Sequence, residues 1–204
     1  MFTSASPEMI WLTNFGDLGV ILPLAVLVGL WLSRVQGPRL GLVWAAVFTA
    51  SVGSIWGLKV FLAANPISLG TLTFHSPSGH ACLSATLYGM AALLFASSAR
   101  KAPRIIGIAS MTAMIAAVTV SRVVLLAHSS ADALAGAMLG LAWLIPIVFS
   151  LKERKGGLSS YRSLAIGIAF IATVTHGLTL PIYSLGIVPL YHADPTQGSS
   201  GLSE

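Results

Sequence analysis

The chain has 204 residues, 55% of them hydrophobic and only 8% charged, with a mean hydropathy of +0.86. Soluble domains carry about 25% charged residues, so a water-covered globule is excluded and lipid is the expected solvent. The net charge of +5 could suggest nucleic acid as a partner, but the placement of the cations argues against it.

Several stretches meet the length of about 20 mostly apolar residues that a bilayer-spanning helix needs, and six spans are read along the chain, the first of them short. The N-terminus lacks the basic region of a secretory signal, so the first span, residues 18–32, is expected to stay in the mature protein and has room to begin near Trp11. Arg34 and Arg39 flank the connection to the second span, residues 40–64, which carries Lys59 near its end. A loop over 65–77 holds His75 and leads into the third span, residues 78–97. Arg100, Lys101 and Arg104 precede the fourth span, residues 105–120, and Arg122 ends it. The fifth span covers residues 130–149, the basic connection with Lys152, Arg154, Lys155 and Arg162 follows, and the sixth covers 164–183. Residues 192–204, HADPTQGSSGLSE, form a polar tail expected to be disordered. The expected architecture is therefore all-α: one polytopic bundle of six transmembrane helices over residues 1–191.

Nine of the eleven Lys and Arg fall in three connections on one side of this layout. The positive-inside rule makes that side cytoplasmic, with both termini and the loops 65–77 and 122–129 external. Lys59 and Arg122 break the pattern. Each has a bland reading, as a snorkelling or interfacial cation, and a functional one, as a charge placed for an anion. The single cysteine, Cys82, reads as a small buried apolar residue and excludes an internal disulfide. His176 reads as a polar group packing helices, and Trp11, Trp31, Trp56 and Trp143 as interfacial or packing residues.

Two short segments carry chemistry. In HSPSGHA (75–81), Ser76 reads as an N-cap and Pro77 as the first helical residue. The N–H groups of Ser78, Gly79 and His80 would then stand at a helix start, a ready anion site, with His80 able to move a proton. In SRVVLLAHSSADALAG (121–136), His128 and Asp132 are four apart, the spacing that stacks two side chains on one helix face. A carboxylate so placed orients a histidine as base or nucleophile, and a carboxylate within an apolar helix reads as functional. Arg122 supplies a planar, always-charged fork suited to phosphate. Cations, a helix start and two histidines suit phosphoryl transfer, and no carboxylate cluster suggests a divalent metal, so metal-independent chemistry without a cofactor is expected.

These residues resemble the type 2 phosphatidic acid phosphatase superfamily, membrane lipid phosphatases related to vanadium haloperoxidases. Its second motif, Pro-Ser-Gly-His, is present at Pro77, Ser78, Gly79 and His80. Its third, Ser-Arg, five residues, His, three residues, Asp, is present at Ser121, Arg122, His128 and Asp132. Its first, Lys, six residues, Arg-Pro, departs: after Lys59 the spacing to Pro66 is one residue short, and Asn65 replaces the arginine. The resemblance implies His128 as nucleophile, Asp132 as its orienting group and His80 as proton donor. Lys59, Arg122, Ser78, Gly79 and Asn65 would bind the phosphate, and His75 is a loop residue beside the missing arginine. It also implies hydrolysis of a lipid phosphate or pyrophosphate at the external face of a bacterial inner membrane, with undecaprenyl pyrophosphate first in rank. A phosphotransferase of the same superfamily and a non-catalytic lipid-binding member with a decayed site are the alternatives. A transporter fits less well, because the polar groups gather at one surface.

Overall fold

The structure, a computed structural model, describes residues 7–65, 68–69, 72–73, 76–98, 100–152 and 161–177. Pro66, His75, Arg154, Lys155, Tyr183, Tyr191 and the tail 192–204 lie outside the described residues.

The chain opens with α1 (Pro7–Asn14) and, after an elbow at Phe15, Gly16 and Asp17, continues into α2 (Leu18–Val35). Asp17 makes the break by capping α2, its Oδ1 accepting from the Gly19 N–H at 2.8 Å. Taken together, Pro7–Val35 is a 29-residue apolar stretch, so the first candidate span starts well before residue 18. Gln36 closes α2 with its N–H on the Leu32 carbonyl. Gly37 turns the chain at φ 96°, and Pro38 opens α3 (Pro38–Ala64). A ladder of two two-residue strands, β1 (Ser68–Leu69) and β2 (Leu72–Thr73), follows. Then come α4 (Gly79–Ala96), α5 (Lys101–Val124), α6 (Ser130–Ala142), α7 (Ile145–Lys152) and α8 (Tyr161–Thr175). The interruption between α6 and α7 falls just before Pro146, which has no N–H to continue a helix.

Among the described residues, five stretches are long and apolar enough to cross a membrane: Pro7–Val35, Pro38–Ala64, Gly79–Ala96, Lys101–Val124 and Ser130–Leu151. They match the first five of the six expected spans. The sixth, residues 164–183, runs beyond the described residues; its described apolar part is the shorter helix Leu164–Thr175. Outward faces match a lipid solvent. Leu22, Val26 and Leu30 on α2, and Ile166, Phe170 and Val174 on α8, recur every four residues and are exposed.

α4 is the axis of the bundle and packs on α5, α6, α3 and α2. Its side chains from Ala81 to Ala91 are all buried. Many are small, and α6 meets them with Gly136, Ala137 and Gly140, so the two backbones approach closely. Several buried polar groups are paired across helices: Ser51 Oγ lies 2.9 Å from Thr86 Oγ1, which also reaches the Gly140 carbonyl at 3.2 Å, and Trp44 Nε1 donates to the Ala25 carbonyl at 2.8 Å. Cys82 is buried and free. Short connections make α2 and α3, α4 and α5, and α5 and α6 antiparallel neighbours. Arg34, Arg39, Arg100, Lys101 and Arg104 therefore gather at one end of the bundle, while Lys59 and Arg122 stand at the other.

Candidate active site

At that second end, Ser78 holds an extended conformation and caps α4, its Oγ accepting from the Ala81 N–H at 3.4 Å. The cap is thus two residues later than the expected Ser76, and Pro77 is not helical. The reason lies in α6: the Ser78 N–H donates to the Asp132 carbonyl at 3.0 Å, which pins Ser78 outside the helix. That bond also removes Ser78 N–H from the expected set of anion donors. The N–H groups of Gly79 and His80 follow, and neither meets a backbone acceptor among the described residues. A Cβ on Gly79 would stand 3.9 Å from Lys59 Cε, so the lysine side chain lies across this turn.

The connection from α5 to α6 folds back sharply. Leu126 takes a left-handed conformation at φ 53°, with its N–H on the Val123 carbonyl at 3.0 Å, and Ala127 N–H reaches the Arg122 carbonyl at 3.1 Å. These two bonds form a helix-closing motif that usually uses glycine at the left-handed position. The same Arg122 carbonyl accepts from His128 N–H at 3.2 Å, which returns His128 to the end of α5. Ser129 then caps α6, its Oγ accepting from Asp132 N–H at 3.1 Å. His128 therefore precedes α6 while Asp132 sits in its first turn. The expectation that the pair stacks on one helix face is corrected: the chain bends between them because Ser129 is the cap.

Burial leaves Asp132 only 1% exposed, in the first turn of α6 where the helix dipole favours an anion. Burial holds His128 well below the usual imidazole range, at about 4, and the positive charges of Lys59 and Arg122 push the same way; Asp132 opposes them and His80 adds a smaller lowering. Lys59, Arg122, His80 and Asp132 thus all act electrostatically on one imidazole. Asn65 stands differently. It is exposed at the end of α3, and its Nδ2 donates to the Phe61 carbonyl at 3.0 Å. Among the described residues, no three His, Cys, Asp or Glu side chains come together as a metal site.

The profile of the PAP2 superfamily matches residues 24–155, which include every one of these side chains. The chain belongs to the PAP2 superfamily. No curated protein and no solved structure matches it. Members of the superfamily are generally phosphatase-type enzymes, and the apolar helices of this chain fit a membrane lipid phosphatase.

Two residues at the site of this PAP2 chain escape the sequence reading, and both precede the matched region. Arg122 Nη1 donates to Thr13 Oγ1 at 2.9 Å, and His80 Nε2 lies 3.8 Å from Asp17 Oδ2. Neither Thr13 nor Asp17 carries a signal in the sequence: an external carboxylate obeys the side pattern of the cations, and a threonine is silent in it. His176 packs against Trp11 and Phe15 and contacts the Trp11 carbonyl at 3.0 Å, outside the reacting groups.

Proposed function

We propose that this chain is a metal-independent lipid phosphatase that works through a phosphohistidine on His128. The observation that carries the reading is the convergence of two fixed cations, a second histidine and a buried carboxylate on that one imidazole. Held neutral near pH 7, the ring keeps a lone pair for attack on phosphorus. The N–P bond forms as the P–O bond to the lipid alkoxide breaks, and His80 supplies the proton that alkoxide takes. A water then attacks phosphorus, His80 accepts its proton, and the N–P bond breaks to release inorganic phosphate. Lys59, Arg122 and the N–H groups of Gly79 and His80 neutralise the equatorial oxygens. Asp132 steadies the positive charge that His128 gains.

The proposed substrate is a lipid phosphate or pyrophosphate presented at the external leaflet, because the site lies at the end of the bundle opposite the clustered cations. Undecaprenyl pyrophosphate in a bacterial inner membrane ranks first by family resemblance. A second reading, a non-catalytic lipid-binding member, draws on Asn65, whose amide is spent on its own helix where the family carries an arginine. The test is phosphate release from a panel of lipid phosphates by purified protein in EDTA. Turnover is expected for wild type and none for His128→Ala. Undiminished turnover by that variant sinks the mechanism, and no turnover by wild type on any substrate supports the second reading.

A further inference from the structure

Among the described residues there are three carboxylates, Glu8, Asp17 and Asp132. Two of the three act on histidines of the site, Asp132 electrostatically on His128 and Asp17 at ion-pair range of His80. Asp17 comes from the elbow between α1 and α2, a part of the chain that the family profile does not reach. The elbow is driven against α4 at Gly16. A Cβ there would meet Ser84 Oγ at 2.9 Å and His80 Cβ at 3.3 Å, with Val118 of α5 closer still at 2.7 Å. One helical turn separates His80 from Ser84, so the elbow lies along one face of the first turn of α4. Tyr88, a further turn on, locks it there by donating to the Phe15 carbonyl at 2.8 Å. The consequence is an approach of 3.8 Å between Asp17 Oδ2 and His80 Nε2, with the two side chains 18% and 24% exposed.

We propose that Asp17 is a positioning residue for His80: its carboxylate, 3.8 Å from Nε2, holds that side of the ring and leaves the other nitrogen to face the leaving oxygen. This rests on the phosphatase reading given above. The two histidines then have different tasks. His128, buried beside two cations, is kept neutral for attack. His80, beside a partly exposed carboxylate, is oriented for proton transfer. The other charged groups on elements packed around α4 are Lys59 of α3, Arg122 of α5 and Asp132 of α6, with His128 ahead of α6.

Asp17 also caps α2, and this gives a clean separation of roles. Asparagine caps a helix as well as aspartate does, so Asp17→Asn removes the charge and keeps the cap. The first measurement is the 15N spectrum of the His80 ring in detergent-solubilised, histidine-labelled protein, its signals assigned by their loss in His80→Gln. The Asp17→Asn substitution is expected to move the two ring-nitrogen signals, because the carboxylate beside Nε2 is lost. The second is phosphate release from an alkyl lipid phosphate, whose kcat is expected to fall about 10-fold with KM little changed, because the proton donor is no longer held in place. A substrate with an aryl leaving group, which needs no proton, is expected to be spared. An unmoved His80 spectrum, or equal losses on alkyl and aryl substrates, overturns the proposal. A silent wild type overturns the phosphatase reading instead, while the spectrum still reports whether Asp17 holds His80.

Discussion

Arg122 Nη1 donates a 2.9 Å hydrogen bond to the hydroxyl of Thr13, across 109 residues of chain. Thr13 is buried, so the bond is shielded from water, and it fixes the guanidinium from the side of α1. Replacing Thr13 by valine keeps the volume and removes the acceptor. The expected result is a fall in kcat/KM of about 10-fold, the ~1.5 kcal/mol of one charge-assisted hydrogen bond. Thr13→Ser is expected to retain most activity. A Thr13→Val enzyme with wild-type kcat/KM shows that Arg122 needs no support from α1.

Under the proposed mechanism, the low proton affinity of His128 sets an acid limit on turnover. Its ring is held at about 4, below the ordinary imidazole value of 6.5, chiefly by burial and then by Lys59 and Arg122. It is therefore neutral above that value, and kcat/KM is expected to rise from near pH 4 and to be insensitive to His128 from pH 5 upward. Removing a cation shifts the limit in a known direction: Lys59→Met lets His128 bind its proton more readily, so the acid limb moves to higher pH. Stability follows the same sign. Between about pH 4 and 6.5 the unfolded chain protonates His128 and the folded chain does not, so this group's contribution is lost as pH falls through that window. A pH–rate profile and a pH series of thermal melts on wild type and Lys59→Met check both statements.

What the sequence made legible follows from what is local. Pro77–Ser78–Gly79–His80 and Ser121–Arg122–His128–Asp132 declare their chemistry because the residue types sit at fixed short spacings. The spans are legible because apolar length is a one-dimensional property, and the bundle ends are legible because the cations are clustered. Three features were beyond reach for stated reasons. The shift of the α4 cap from Ser76 to Ser78 is imposed by the Asp132 carbonyl, 54 residues on. The bend that keeps His128 off α6 depends on a left-handed Leu126, a conformation that a leucine does not advertise. Thr13 and Asp17 reach Arg122 and His80 through a tertiary contact made possible by Gly16, and no periodicity encodes it.

The crossing of α4 over α6 connects packing to catalysis and can be taken apart by two glycines. A Cβ at Gly136 would press on the backbone of Ser78, meeting its N at 3.0 Å and its carbonyl carbon at 3.2 Å. Backbone cannot yield as a side-chain tip does, so Gly136→Ala must push Ser78 away. The N–H groups of Gly79 and His80 move with it. One turn deeper, a Cβ at Gly140 would press on the Cys82 carbonyl and on Ala85 Cβ at 2.9 Å, beyond the turn proposed to hold the phosphate. Each alanine is expected to cost about 1–3 kcal/mol of stability, the usual penalty for overpacking. They are expected to differ in rate. Gly136→Ala lowers kcat by about 10-fold or more, because donors displaced from a developing charge lose most of their effect. Gly140→Ala, assayed below its own melting temperature, keeps kcat within a few-fold of wild type. Thermal melts paired with kcat at a fixed temperature separate the two. If both variants lose rate in proportion to stability, the Ser78 turn is not held in place by α6, and the catalytic geometry must be set from the α3 side instead.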